Sequence, residues 1–150
     1  MKYFLILLTV LITITGKSQT AEDSVKAVIN NMFAAMKNAD PVLLKTCFAD
    51  SMVLQTIGRD KEGKLIVRNE EASGFIDFIS KESVGNADER ITYDVVKVDG
   101  PLAIAWTPYN FYYKGTFSHC GVNSFQLVRF NGVWKIQYLI DTRRKAGCKP

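Results

Sequence analysis

The chain has 150 residues, 47% of them hydrophobic, with 19 lysines and arginines against 15 acids and a single histidine. That is enough apolar surface for one core, and the net charge of +4 is too small to point to nucleic acid or an anionic membrane surface. Three cysteines with one histidine and no Cys-x-x-Cys spacing give no zinc site, so no metal and no cofactor is expected.

Met1-Lys2-Tyr3 is followed by an apolar run from Phe4 to Ile12 and by the small residues Gly16 and Ser18. One early charge, about a dozen apolar residues and a polar end predict a secretory signal over residues 1–18, cleaved after Ser18. The run is shorter than the roughly 20 residues a membrane-spanning helix needs. Loss of Lys2 and Lys17 with the signal lowers the 19 bases to 17 against 15 acids, a net charge of +2. The mature chain, residues 19–150, then reads as a single exported domain, periplasmic or secreted, with no membrane association of its own.

Thr20-Ala21-Glu22-Asp23 has the form of a capping box. Val25, Val28, Ile29, Met32, Phe33 and Met36 follow at helical spacing. Asp40-Pro41 restarts a helix with inner face Leu43, Leu44, Cys47 and Phe48, expected to end at Ala49-Asp50-Ser51. Met52–Ile57 and Lys64–Arg68 predict short strands, and Asn69-Glu70-Glu71 opens a third helix. Strands are then predicted over Ile91–Val98, Leu102–Tyr113, Phe117–Phe130 and Val133–Asp141. Asn131-Gly132 between the last two suits a two-residue type I′ turn. Helices first and antiparallel strands afterwards give an α+β class.

A two-residue turn pairs Phe130 with Val133, Arg129 with Trp134, Leu127 with Ile136, Phe125 with Tyr138 and Asn123 with Ile140. The face carrying these residues is the more apolar and is expected to meet the helices; Gly121 and His119 extend it. Leu139 and Asp141 fall on the outer, mixed face, which suits a partner subunit. Pro108 is expected to break the alternation of its strand, leaving open which of Trp106 and Tyr109 points inward.

The residues singled out for a binding site are therefore Trp106, Tyr109, His119, Asn123 and Tyr138: aromatic walls with a few convergent polar groups. His119 is the candidate proton carrier, although a strand-end histidine bonded to a neighbour fits equally well. Asp77 and Asp94 are the carboxylates near core elements, and both read as solvated. Adjacent strand residues point to opposite faces, so Cys120 and His119 do not form a nucleophilic pair. In the register above Cys120 lies opposite Arg143, and a short return of the tail predicts a Cys120–Cys148 disulfide, with Cys47 a buried free thiol. Thr142-Arg143-Arg144-Lys145 reads as a solvated basic tail, with anion binding as the alternative.

Trp106-Thr-Pro-Tyr109, His119-Cys-Gly-Val-Asn-Ser-Phe-Gln-Leu127, Asn131-Gly-Val-Trp-Lys-Ile136 and the early Phe48-Ala-Asp50 turn, in this order of elements, resemble the nuclear transport factor 2-like superfamily. That group includes the polyketide-cyclase (SnoaL)-like and ketosteroid-isomerase-like proteins, and the nearest match looks like its lumazine-binding branch. The resemblance runs over residues 22–145. It implies a cone-shaped, strongly curved antiparallel sheet with helices inside the curve, and a homodimer through the outer sheet face. Function does not follow from such a fold. Three readings stand: an exported pocket protein binding a small, partly apolar molecule; an isomerase, cyclase or dehydratase using His119; and a dimeric interaction module with a vestigial pocket.

Overall fold

The computed structural model describes residues 20–148, so the expected signal at residues 1–18 lies outside the described residues. The elements in chain order are α1 (Ala21–Asn38), α2 (Pro41–Cys47), β1 (Phe48–Arg59), β2 (Leu65–Glu70), α3 (Ala72–Ser80), β3 (Ala87–Ile91), β4 (Val95–Asp99), β5 (Leu102–Tyr113), β6 (Thr116–Phe130) and β7 (Val133–Thr142). Helix α1 starts at the expected capping box: the Asp23 N–H donates to Thr20 Oγ1 at 3.0 Å, and the Thr20 N–H donates to the Asp23 carboxylate at 3.3 Å. Asp40 caps α2 by accepting from the Leu43 N–H at 2.9 Å.

One seven-stranded sheet runs in the order β2-β1-β7-β6-β5-β3, with β4 beside the first half of β5. Every pairing is antiparallel except β1 with β7, which is parallel, so the curved, unclosed sheet is mixed. Phe48 is drawn out of the expected helix because it pairs with Ile136 of β7 at the start of β1. The strand expected over Ile91–Val98 is two strands, parted where Tyr93 reaches α1 and its hydroxyl meets Asn30 Oδ1 at 2.9 Å. Buried Val25, Ile29, Met32, Phe33 and Met36 of α1 pack on Ala103, Ala105, Phe125, Leu127 and Ile136 of the sheet. Phe33 meets Phe125 edge to face at 6.2 Å.

Asn131 (φ 48°) and Gly132 (φ 87°) turn the final hairpin as expected, and Phe130–Val133, Arg129–Trp134 and Leu127–Ile136 pair. Beyond them the register shifts by one residue. Gln126 now faces Tyr138, Phe125 faces Leu139 and Asn123 faces Asp141, replacing the expected Phe125–Tyr138 and Asn123–Ile140 pairs. Gln137 is the extra residue of a β-bulge, and every β7 side chain after it changes face. Leu139 and Asp141 are buried on the helix side, while Tyr138 turns outward and its hydroxyl donates to Gln55 Oε1 at 2.7 Å.

In β5 the alternation passes Pro108 undisturbed: Ala103, Ala105, Thr107 and Tyr109 are all buried. The irregularity lies between Phe111 and Tyr112, opposite an extra residue at Ser118. Cys120 and Cys148 form the expected disulfide with a Cα–Cα distance of 5.7 Å, and Cys47 is a buried free thiol. Cys120 lies opposite Arg144, one residue beyond the expected Arg143, as the Gln137 bulge requires.

Candidate functional site

Between the concave sheet face, the second half of α1 and helix α3 lies a cavity of about 1100 Å³. One side is apolar, built by Phe33 and Met36 of α1, Phe75 and Phe78 of α3, and Leu54 and Leu139 of the sheet. The other end is polar and gathers Glu89, Ser118, His119, Asn123, Asp141 and Arg143. These residues come from three neighbouring regions of sheet. Glu89 comes from β3, Ser118, His119 and Asn123 from β6, Asp141 from β7 and Arg143 from just beyond its end; Glu89 and His119 share a row because both pair with Phe111 of β5. Ser118 and His119 both reach the cavity although adjacent, because the bulge at Ser118 interrupts the alternation.

Asp141 is the structural hub of the polar end. It is 7% exposed and accepts from Thr56 Oγ1 at 2.6 Å and from Arg143 Nε at 2.8 Å. Tyr109, 4% exposed, shares its single phenolic proton between Thr142 O at 2.9 Å and Asp141 Oδ2 at 3.2 Å. Burial first, then the negative charges of Glu89 and Asp141, push the Tyr109 pKa above its ordinary value, so the phenol stays protonated as a donor. Arg143 also donates from Nη2 to Thr56 Oγ1 at 3.1 Å. Burial works against its charge, but Asp141, with Tyr109 and Glu89 behind it, outweighs that and raises its pKa. Gly121 makes this arrangement possible. A Cβ there would lie 1.8 Å from Thr142 O and 2.7 Å from Tyr109 Cε1.

Glu89 has fewer partners than Asp141. Its carboxylate accepts from Asn123 Nδ2 at 2.8 Å, and burial raises its pKa from 4.5 to about 7 against that bond and the charge of Arg143; the negative charge of Asp141 adds to the rise. Strand β3 is held beside α1 by Lys37–Asp88 at 3.1 Å, which fixes where Glu89 enters the cavity. His119 differs. Its Nδ1 lies 3.0 Å from Ser118 Oγ, and its ring sits between those of Tyr109 and Phe111, with centroids at 5.7 and 5.1 Å. Burial, then the charges of Arg143 and Lys145, lower its pKa despite Asp141, leaving a neutral imidazole at pH 7.

Of the residues named from sequence, His119 and Asn123 line the cavity, and Tyr109 lies under its floor, anchoring Asp141. Trp106 and Tyr138 do not reach it. Trp106 is 46% exposed on the outer sheet face, because the alternation through Pro108 turns Tyr109 in and Trp106 out; Tyr138 is turned away by the Gln137 bulge. Asp77 forms an exposed ion pair with Lys81, and Asp94 is exposed between β3 and β4. The residues missed are Glu89, Asp141, Thr56 and Ser118. Glu89 sits in Ala87-Asp-Glu-Arg-Ile91, which carries no strand periodicity to announce it. Among the described residues no group of three or more His, Cys, Asp and Glu side chains is placed to hold a metal ion.

Known structures share this frame. An NTF2-like protein of unknown function from Shewanella baltica superposes with a TM-score of 0.65 at 15% identity, covering 82% of this chain and 93% of its own. The chain has the NTF2-like fold. A domain of unknown function with a cystatin-like fold from Nostoc punctiforme gives 0.64 at 17% identity over 87% of this chain and 82% of its own. An NTF2-like protein from Cytophaga hutchinsonii gives 0.61 at 14% identity over 83% and 99%. No family model matches the sequence, and no curated protein matches it. At these identities the likeness is one of NTF2-like fold, and the site residues rest on this chain's own geometry.

Proposed function

We propose that this chain is an exported protein whose cavity binds a small, partly apolar molecule with one oxygen- or nitrogen-bearing end. The observation that carries this is the division of the cavity: phenylalanines on one side, and on the other Glu89, a half-buried carboxyl that accepts one hydrogen bond, from Asn123. Burial of a ligand's hydrocarbon against Phe33, Phe75 and Phe78 supplies affinity, and a polar group reaching Glu89 and Asn123 fixes its orientation. A cavity left open by its own aromatic side chains does not favour a vestigial pocket. The Cys120–Cys148 disulfide supports an oxidising compartment. Among the described residues no helix is long and apolar enough to cross a membrane.

Gly74→Trp tests this reading. Gly74 lines the cavity from α3, and a Cβ there meets only Glu71 Cβ at 3.8 Å in ordinary contact, so a side chain can start from this position toward the cavity. The variant should keep its fold and lose fluorescence-detected binding of an apolar dye that the wild type takes up. Unchanged dye binding by a folded Gly74→Trp protein counts against the cavity as the binding site.

The state of Glu89 favours a second reading, an isomerase, cyclase or dehydratase. A carboxyl with a pKa of about 7 exchanges protons near neutrality. On this reading Glu89 takes the proton-carrying role that the sequence suggested for His119, and Asn123 orients the substrate oxygen. Glu89→Gln should then retain binding and abolish solvent-deuterium incorporation into a bound carbonyl compound; incorporation that survives the substitution refutes the catalytic role. A homodimer through the outer face is proposed alongside, because Val95, Ile104 and Trp106 lie exposed on adjacent strands. Light scattering should find a dimer that Trp106→Glu converts to monomer.

A further inference from the structure

Arg143, Arg144 and Lys145 are consecutive, and all three line the cavity. In a continuing strand they would alternate between faces, but β7 ends at Thr142 and the chain leaves the sheet there. The tail is nevertheless fixed. Arg144 exchanges two backbone hydrogen bonds with Cys120, both 2.9 Å, and the disulfide to Cys148 closes the return. The basic run is thus exposed, as its sequence suggests, and also fixed along the mouth of the cavity.

We propose that the bound molecule carries a carboxylate, held by the wall that Arg143, Arg144 and Lys145 build beside His119. This rests on the cavity being a binding site. Arg143 is partly neutralised by Asp141, whereas Arg144 and Lys145 make no ion pair among the described residues. The tail therefore places three positive charges at this end of the lining against the carboxylate of Asp141, and beside the effect of burial the charges of Arg143 and Lys145 oppose protonation of His119. Glu70 and Glu71 stand elsewhere on the lining and oppose an anion there, so the head group belongs on the tail side and the hydrocarbon against Phe75 and Phe78. A monoanion suits the site better than a phosphate dianion, because Asp141 and Glu89 lie beyond it.

The test compares decanoate, decanol and decylamine, equal in chain length, by calorimetric titration of the disulfide-bonded protein. Decanoate should bind about tenfold tighter than decanol and decylamine weakest, and the preference should shrink between about 50 and 500 mM salt. The double variant Arg144→Gln, Lys145→Gln should lower decanoate to the level of decanol and leave decanol unchanged. Decylamine binding as tightly as decanoate, or a double variant that weakens all three alike, overturns the carboxylate assignment. No binding by any of the three refutes the pocket reading itself, and the assignment with it.

Discussion

Replacing Glu89 by glutamine should stabilise the protein at neutral and alkaline pH while leaving it unchanged in acid. A carboxyl whose pKa rises from 4.5 to about 7 on folding binds more protons in the folded state between those values. Its contribution to stability is therefore fully present below pH 4.5, declines as the pH rises, and is lost above about 7. The interval corresponds to about 3 kcal/mol at most, and the partial access of Glu89 to the cavity lowers this to about 1–3 kcal/mol. Glutamine keeps the shape and can hydrogen-bond to Asn123 without a charge to desolvate. Thermal melts of the two proteins should coincide near pH 4.5 and separate above pH 7 by on the order of 5 °C, the variant being the more stable. Equal melting temperatures across the range, or a variant less stable at pH 8, would refute the placement of Glu89 as a desolvated acid.

Three further changes probe the frame. Gly121→Ala sets a methyl group 1.8 Å from a backbone oxygen, and yield of folded protein on expression should collapse. Tyr109→Phe removes the donor to Thr142 O and Asp141 and should cost about 1–3 kcal/mol in urea unfolding, with no change in the m-value. Cys148→Ser should lower stability by about 3–4 kcal/mol under oxidising conditions, and reductant should cost the wild type the same amount while leaving the variant unaffected.

Features that depend on local chemistry were legible in the sequence. The capping box at Thr20–Asp23, the Asp40-Pro41 restart and the Asn131-Gly132 turn each satisfy a backbone requirement within a few residues, and each formed where the residues indicated. The Cys120–Cys148 pairing was readable because it follows from the hairpin with a tolerance of one residue. The site was less legible because its composition hangs on two bulges, at Ser118 and Gln137, that no residue type announces. One extra residue at Gln137 moves Asp141 from the outer face to the centre of the polar cluster and sends Tyr138 the other way. Pro108 misled in the opposite sense: its C=O accepts from the Thr92 N–H and the strand continues without a break. Glu89 was invisible because its strand is short, with three charged residues between Ala87 and Ile91, and is placed by tertiary contacts, Lys37 with Asp88 among them.

Diffraction from crystals of the wild-type protein soaked in a ten-carbon ligand addresses the binding site at atomic detail. Density for the molecule should fill the space beside Phe33, Phe75 and Phe78, with its polar atom at the polar end of the cavity, where Asn123, His119 and Arg143 gather. Phenylalanine rings collapsed onto one another, with Glu89 opening to bulk water and the ligand absent, would contradict the account.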